Sequence, residues 1–96
     1  MVILGIDPGY AIVGWGVVRY ERARFKPLAF SAITTPAGME FSDRLERIYA
    51  ETSLLLATHH PDAVAVEKLY FKNNQKTAID VAQARGVILL AARQAG

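Results

Sequence analysis

Hydrophobic positions change their period several times along the chain, and each change predicts an element. Val2 to Ile6 is a short apolar, β-prone run that stops at Asp7-Pro8-Gly9, where proline removes a donor and glycine permits a tight turn. Ile12, Val13, Trp15, Val17 and Val18 resume the pattern, interrupted by Gly14 and Gly16, so a second strand over 11–20 returns as a hairpin. Glycine inside a strand often marks close backbone approach. Charged residues from Arg19 to Lys26 read as a solvated turn, and Leu28, Phe30, Ala32 and Thr34 alternate with Ala29, Ser31 and Ile33 as a third strand.

Pro36-Ala37-Gly38 breaks the alternation. Phe41, Leu45, Ile48, Thr52 and Leu55 then recur at three- and four-residue steps, with Arg44, Glu46, Arg47 and Glu51 facing elsewhere, which predicts an amphipathic helix. It must close near His59-His60, because Pro61 disfavours helical geometry in its predecessor. A cationic side chain suits a helix end, and no acidic partners nearby suggest a metal role for the histidines. Ala63 to Val66 is a buried strand ending at Glu67, and an alanine-rich helix runs from about Thr77 to Gln94. The order βββαβα, with a meander, a crossover helix and a parallel fourth strand, predicts a mixed α/β sheet in one domain over 1–96. Gly96 occupies the place of a helix C-cap glycine, so the sequence reads as stopping at the close of an element.

Composition sharpens this. A hydrophobic share of 52% with 21% charged residues suits a globular chain, and 96 residues leave no room for a second full domain. The net charge of +2 conceals a division: residues 1–67 hold six basic and eight acidic side chains, whereas 68–96 hold Lys68, Lys72, Lys76, Arg85 and Arg93 against Asp80 alone. With no cysteine there is no disulfide, zinc-thiolate site or thiol nucleophile, so a metal must be held by oxygen or histidine. No run reaches the ~18 apolar residues of a membrane span, and no basic lead or cleavage site marks a signal peptide; a cytoplasmic location is expected. Ser31, Ser42 and Ser53 lack a Gly-x-Ser-x-Gly setting, which argues against a serine nucleophile.

Asp7 and Glu67 each close an apolar strand at its carboxyl end, where open α/β sheets place ligands. If those strands are neighbours, two carboxylates converge, and hard oxygen ligands of this kind suit Mg²⁺. Two such ions ~3.5–4 Å apart would clamp the attacking and leaving oxygens of a phosphodiester displacement. The plainer alternative is that Asp7 stabilises its Pro-Gly turn and Glu67 is a solvated strand end. After Glu67, Lys68, Lys72 and Lys76 surround Tyr70 and Phe71. Lysines neutralise phosphates and an aromatic ring stacks on an unpaired base, so this segment reads as a nucleic-acid loop, unless Phe71 plugs the core. Ala78, Ala82 and Gly86 fall four apart on the last helix, a narrow strip that lets a helix or the sheet approach closely, and Val81, Ile88 and Ala92 line the adjoining face.

Gly5-Ile6-Asp7-Pro8-Gly9, continuing through Gly14-Trp15-Gly16-Val17-Val18, resembles the opening motif of the RuvC family of Holliday-junction resolvases, which have an RNase H-like fold. The likeness recurs in Arg44-Leu45 with Ile48, in Pro61 through Glu67, and in Tyr70-Phe71 with Asn73, Asn74, Ala78, Gln83, Ala84, Arg85 and Gly86, covering the whole chain. It implies a structure-selective endonuclease in which Asp7 and Glu67 are two of the acidic Mg²⁺ ligands, with two ions per complete site. It further implies that Lys68, Tyr70, Phe71, Lys72, Asn73, Asn74 and Lys76 meet four-way junction DNA. By the same resemblance Ala78, Ala82 and Gly86 lie at a homodimer interface, and the RuvA-RuvB branch-migration complex is a partner. Members of the family carry a further pair of acids near their end; here Asp80 is the only acid after Glu67, so this chain by itself is expected to be inactive and to represent an incomplete, C-terminally truncated domain. Two other classes compete: an actin-like nucleotide-binding fragment using Asp7, Gly9 and Gly14, and a non-catalytic module for DNA binding or dimerisation.

Overall fold

A computed structural model describes residues 1–9, 11–68 and 75–96, with the side chains of the last segment described from Thr77 onward. Six elements follow the predicted order: β1 (Val2–Asp7), β2 (Ile12–Glu21), β3 (Arg24–Thr34), α1 (Phe41–His59), β4 (Ala63–Val66) and α2 (Gln75–Ala95). They build one four-stranded sheet in the order β3-β2-β1-β4, antiparallel except for the parallel β1–β4 pair.

Side chains alternate across a strand, so each strand of this sheet has a covered face and an open one. Leu4 and Ile6 of β1, Val13 and Val17 of β2 and Ile33 of β3 are buried in one cluster with Ile48 and Leu56 of α1 and Ala84, Ile88 and Ala91 of α2. Both helices therefore lie on a single face. Of the predicted α2 face, Ile88 is buried while Val81 and Ala92 are half-buried, and Ala84 and Ala91 complete the contact. The left-handed His60 (φ 46°) closes α1, its N–H donating to the Leu56 carbonyl at 3.0 Å, and His59 packs its ring 5.8 Å from Trp15. The histidines thus serve a helix end.

Two expectations need correction. The charged stretch 19–26 is not a solvated turn: pairing runs without a break from Val18–Pro27 to Glu21–Arg24, and only Arg22 and Ala23 turn, both with positive φ. Backbone pairing extends the ladder although both faces there are largely exposed, one carrying charges and the other the Tyr20–Phe25 ring pair. Arg44 does not face solvent either. It is 2% exposed, with its guanidinium donating to the Thr35 hydroxyl and, at 3.0 Å, to the Pro36 carbonyl. A fork of donors pairs with acceptors in the 35–36 connection, which makes a buried cation tenable.

Among the described residues no helix is long and apolar enough to cross a membrane.

Candidate active site

The parallel register pairs Ile6 with Val66, so Asp7 and Glu67 leave adjacent strands at the same level. Main-chain bonding continues past the strand: the N–H of Glu67 donates to the Ile6 carbonyl at 3.0 Å. Both acids stand on the open face and are exposed. The Glu67 carboxyl is raised above its ordinary range by the neighbouring Asp7, first through hydrogen bonding and then through its charge, and last by desolvation.

The floor around them is nearly bare. Gly5, Gly14, Gly16 and Ala65 line, with the two acids, an open hollow of about 450 Å³. Gly5 pairs with Gly16 and with Ala65, and Asp7 pairs with Gly14, so the smallest side chains sit beside the acids on the open face. Gly9 answers a different demand. A Cβ there would lie 2.1 Å from the Ile12 carbonyl oxygen, so only glycine closes the turn after Asp7.

Two supports were not legible as site residues. Arg85 of α2 donates its Nε–H to the Glu67 carbonyl at 3.2 Å, so both main-chain groups of Glu67 are held. Behind the Asp7 turn, the Thr35 hydroxyl accepts from Arg44 and donates to the Ala11 carbonyl at 3.2 Å, while Thr35 N–H donates to the same carbonyl at 3.0 Å. These contacts tie α1 to the loop that follows Asp7. The role of Arg85 depends on a backbone acceptor, which no residue type announces.

The donor set fits a hard divalent cation. Mg²⁺ is commonly held by one or two carboxylates, with water and phosphate oxygens completing its octahedron. Among the described residues no cluster of three or more His, Cys, Asp or Glu side chains gathers at this or any other point. Asp80 is half-buried on α2 and belongs to no such cluster.

The remaining predicted site residues divide by position. Lys68 is exposed directly after Glu67. Tyr70, Phe71, Lys72, Asn73 and Asn74 lie outside the described residues, as does the side chain of Lys76. On α2, Ala82 and Gly86 are exposed and Ala78 is half-buried, with Ile79, Leu89 and Leu90 exposed near them.

The model of the family described as "Crossover junction endodeoxyribonuclease RuvC" matches residues 3–96. The chain belongs to the RuvC family. A RuvC protein of Ruminiclostridium cellulolyticum is 51% identical over all 96 residues, which make up 58% of that relative. One from Rubrobacter xylanophilus is 55% identical over 95 residues, covering 53% of its length. The chain thus spans a little over half the length of these RuvC proteins. Among solved structures, Thermus thermophilus RuvC in complex with a Holliday junction substrate superimposes with a TM-score of 0.91 at 36% identity, covering the whole of this chain and 61% of that one. A second structure of that RuvC gives 0.89 at 35% identity. The RNase H-like fold expected from the motifs is therefore the fold of this chain.

Proposed function

We propose that the chain is the acid-bearing portion of a Mg²⁺-dependent endonuclease that resolves four-way DNA junctions. The observation that carries this reading is the convergence of Asp7 and Glu67 at the matched ends of the paired strands β1 and β4. Membership of the RuvC family, and the junction-bound relative of nearly the same fold, support it.

In this reading Asp7 and Glu67 would hold the divalent metal with their carboxylate oxygens. Divalent metal bound there would supply Lewis-acid charge to the phosphoryl oxygens and ease deprotonation of the attacking water. The chain's own contribution is placement. The β1–β4 register and the Glu67–Ile6 bond fix the distance between the acids, and the glycine floor admits a bulky phosphodiester close to the sheet. Lys68 extends the site toward phosphate, and Tyr70, Phe71, Lys72, Asn73, Asn74 and Lys76 make up the junction-facing loop.

The exposed run of Ile79, Ala82, Gly86 and Leu90 on α2 supports a homodimer that presents two such sites to opposite strands. Work in the cytoplasm beside a RuvA-RuvB complex accords with this activity. Since Asp80 is the only acid after Glu67 and among the described residues joins no cluster, the 96-residue chain alone is proposed to bind without cutting.

The deciding experiment replaces Asp7→Asn or Glu67→Gln in the protein at the length of its relatives. Loss of junction cleavage with binding retained is expected, and continued cutting by either variant would sink the assignment.

A further inference from the structure

The β2–β3 hairpin concentrates several choices that fold stability alone does not favour. A two-residue hairpin turn with positive φ at both positions normally takes Asn-Gly, Asp-Gly or Gly-Gly, yet Arg22 (φ 52°) and Ala23 (φ 63°) occupy it. Arg19 stands directly opposite Lys26, although like charges facing each other across an antiparallel pair repel. Phe25 is 66% exposed and stacks 4.7 Å from the ring of Tyr20. Local conflicts of this sort tend to collect at functional positions.

Pairing also sorts these residues by face. Arg19, Glu21, Arg24 and Lys26 share one face, Tyr20 and Phe25 the other, and Arg22 caps the tip. The charged face and the tip line an open hollow of about 650 Å³ containing four cations and one acid, Glu21, which lies 3.9 Å from Arg19. Four of the six basic residues in the first 67 positions are in this eight-residue stretch. β1 ends where Met1 pairs with Tyr20, its N-terminal amine donating to the Tyr20 carbonyl at 3.1 Å and its carbonyl accepting from Tyr20 N–H at 2.7 Å, so the tip beyond is a two-stranded ribbon.

We infer that this basic ribbon is a second nucleic-acid contact, gripping the phosphate backbone of a duplex arm well away from the Asp7–Glu67 pair. It rests on the nuclease reading and adds to it. Three of the four cations are arginines, whose planar fork matches phosphate oxygens better than a lysine ammonium does. An anion placed between Arg19 and Lys26 turns their repulsion into attraction. Distance argues for a duplex: seven residues separate Gly14, the partner of Asp7, from Glu21, which is about 23 Å of strand. Duplex DNA is stiff over far longer spans, so an arm can cover that distance, but Arg19 and Glu21 share the face of Leu4 and Val17, opposite Asp7, so the ribbon grips from the other side of the sheet.

The test is fluorescence anisotropy of a four-way junction and a plain duplex with the 96-residue chain across a salt series. Arg19→Gln, Arg22→Gln, Arg24→Gln and Lys26→Gln are combined, and a charge-preserving control changes the three arginines to lysine. The combined variant should lower the slope of log affinity against log salt by about 0.9 for each cation that meets a phosphate, on both DNAs. The lysine control should keep most of that slope. If the combined variant does not fold, R22Q/R24Q removes two tip charges with little demand on the sheet. An unchanged slope in a folded variant overturns the inference, as does competition by polyglutamate equal to that by duplex.

Changing Lys68, Lys72 and Lys76 to glutamine separates the two readings. Weakening by that set alone removes the ribbon and leaves the loop, whereas absence of DNA binding by the unaltered chain removes the ribbon and counts against the loop as well.

Discussion

The main chain of Glu67 is tied on both sides, its N–H to the carbonyl of Ile6 at 3.0 Å and its carbonyl to the Arg85 Nε–H at 3.2 Å. The first bond sets Glu67 against the residue before Asp7, and the second fastens the end of β4 to α2. A carboxylate pair can hold a metal ion only if its spacing is kept, so the Arg85 bond bears on metal affinity even though the side chain is not itself a ligand. Arg85→Met should weaken Mn²⁺ binding several-fold with little change in the thermal midpoint, and Arg85→Lys should restore part of the loss. Mn²⁺ affinity by electron paramagnetic resonance checks this, with Asp7→Asn as the reference for loss of a ligand. Equal affinity in wild type and Arg85→Met would show that the bond is incidental.

The raised Glu67 carboxyl gives the metal-free chain a definite pH behaviour. Because the folded Glu67 carboxyl is raised above its unfolded value, the folded state binds more protons in the interval between the two. Stability from this group is therefore full below the ordinary glutamate range and falls as pH rises through the raised value. Urea midpoints in EDTA, taken from about pH 4 to 7, should decline in wild type, and the decline should be smaller in Glu67→Gln. Saturating Mg²⁺ should reduce the decline in wild type by neutralising the pair, and should do much less in Glu67→Gln.

Arg44 supports the turn after Asp7 from within the fold. Arg44→Ala leaves the Thr35 hydroxyl and Pro36 carbonyl without their donor in a buried place and opens a void, a loss of about 2–4 kcal/mol. Denaturant unfolding measures it. Arg44→Lys should recover less than half, since one ammonium cannot reproduce a planar fork.

Gly9→Ala tests the turn itself. The added methyl would meet the Ile12 carbonyl, so the backbone must shift, moving Asp7 or the start of β2. Lower stability together with weaker Mn²⁺ binding is expected, while Gly38→Ala, which meets nothing within 4 Å, should leave both unchanged.

Much of this was visible in the residues. Apolar runs that end abruptly at Asp7 and Glu67 announce strand ends, but their convergence depended on β4 lying beside β1 and not β3, which the sheet order supplies. Polarity misled where backbone bonding, not burial, maintains the structure. From Arg19 to Lys26 both faces are wet, and the ladder persists without an apolar signal. Arg44 misled for the opposite reason, because its burial depends on acceptors at Thr35 and Pro36 that meet it only after the chain folds back. Arg85 lay inside the α2 motif, but its partner is a peptide carbonyl, which leaves no trace in composition.

The strand that carries Glu67 also has a colloidal consequence. β4 is Ala63-Val64-Ala65-Val66, and among the described residues β1 is its only neighbour, so its other edge offers main-chain donors and acceptors with no charge or proline in the strand to discourage a newcomer. Edge pairing through β4 is thus a route to self-association distinct from the helix contact proposed for α2. Ala63→Lys should suppress the first and spare the second, so the aggregation threshold and the dimer constant become separable quantities.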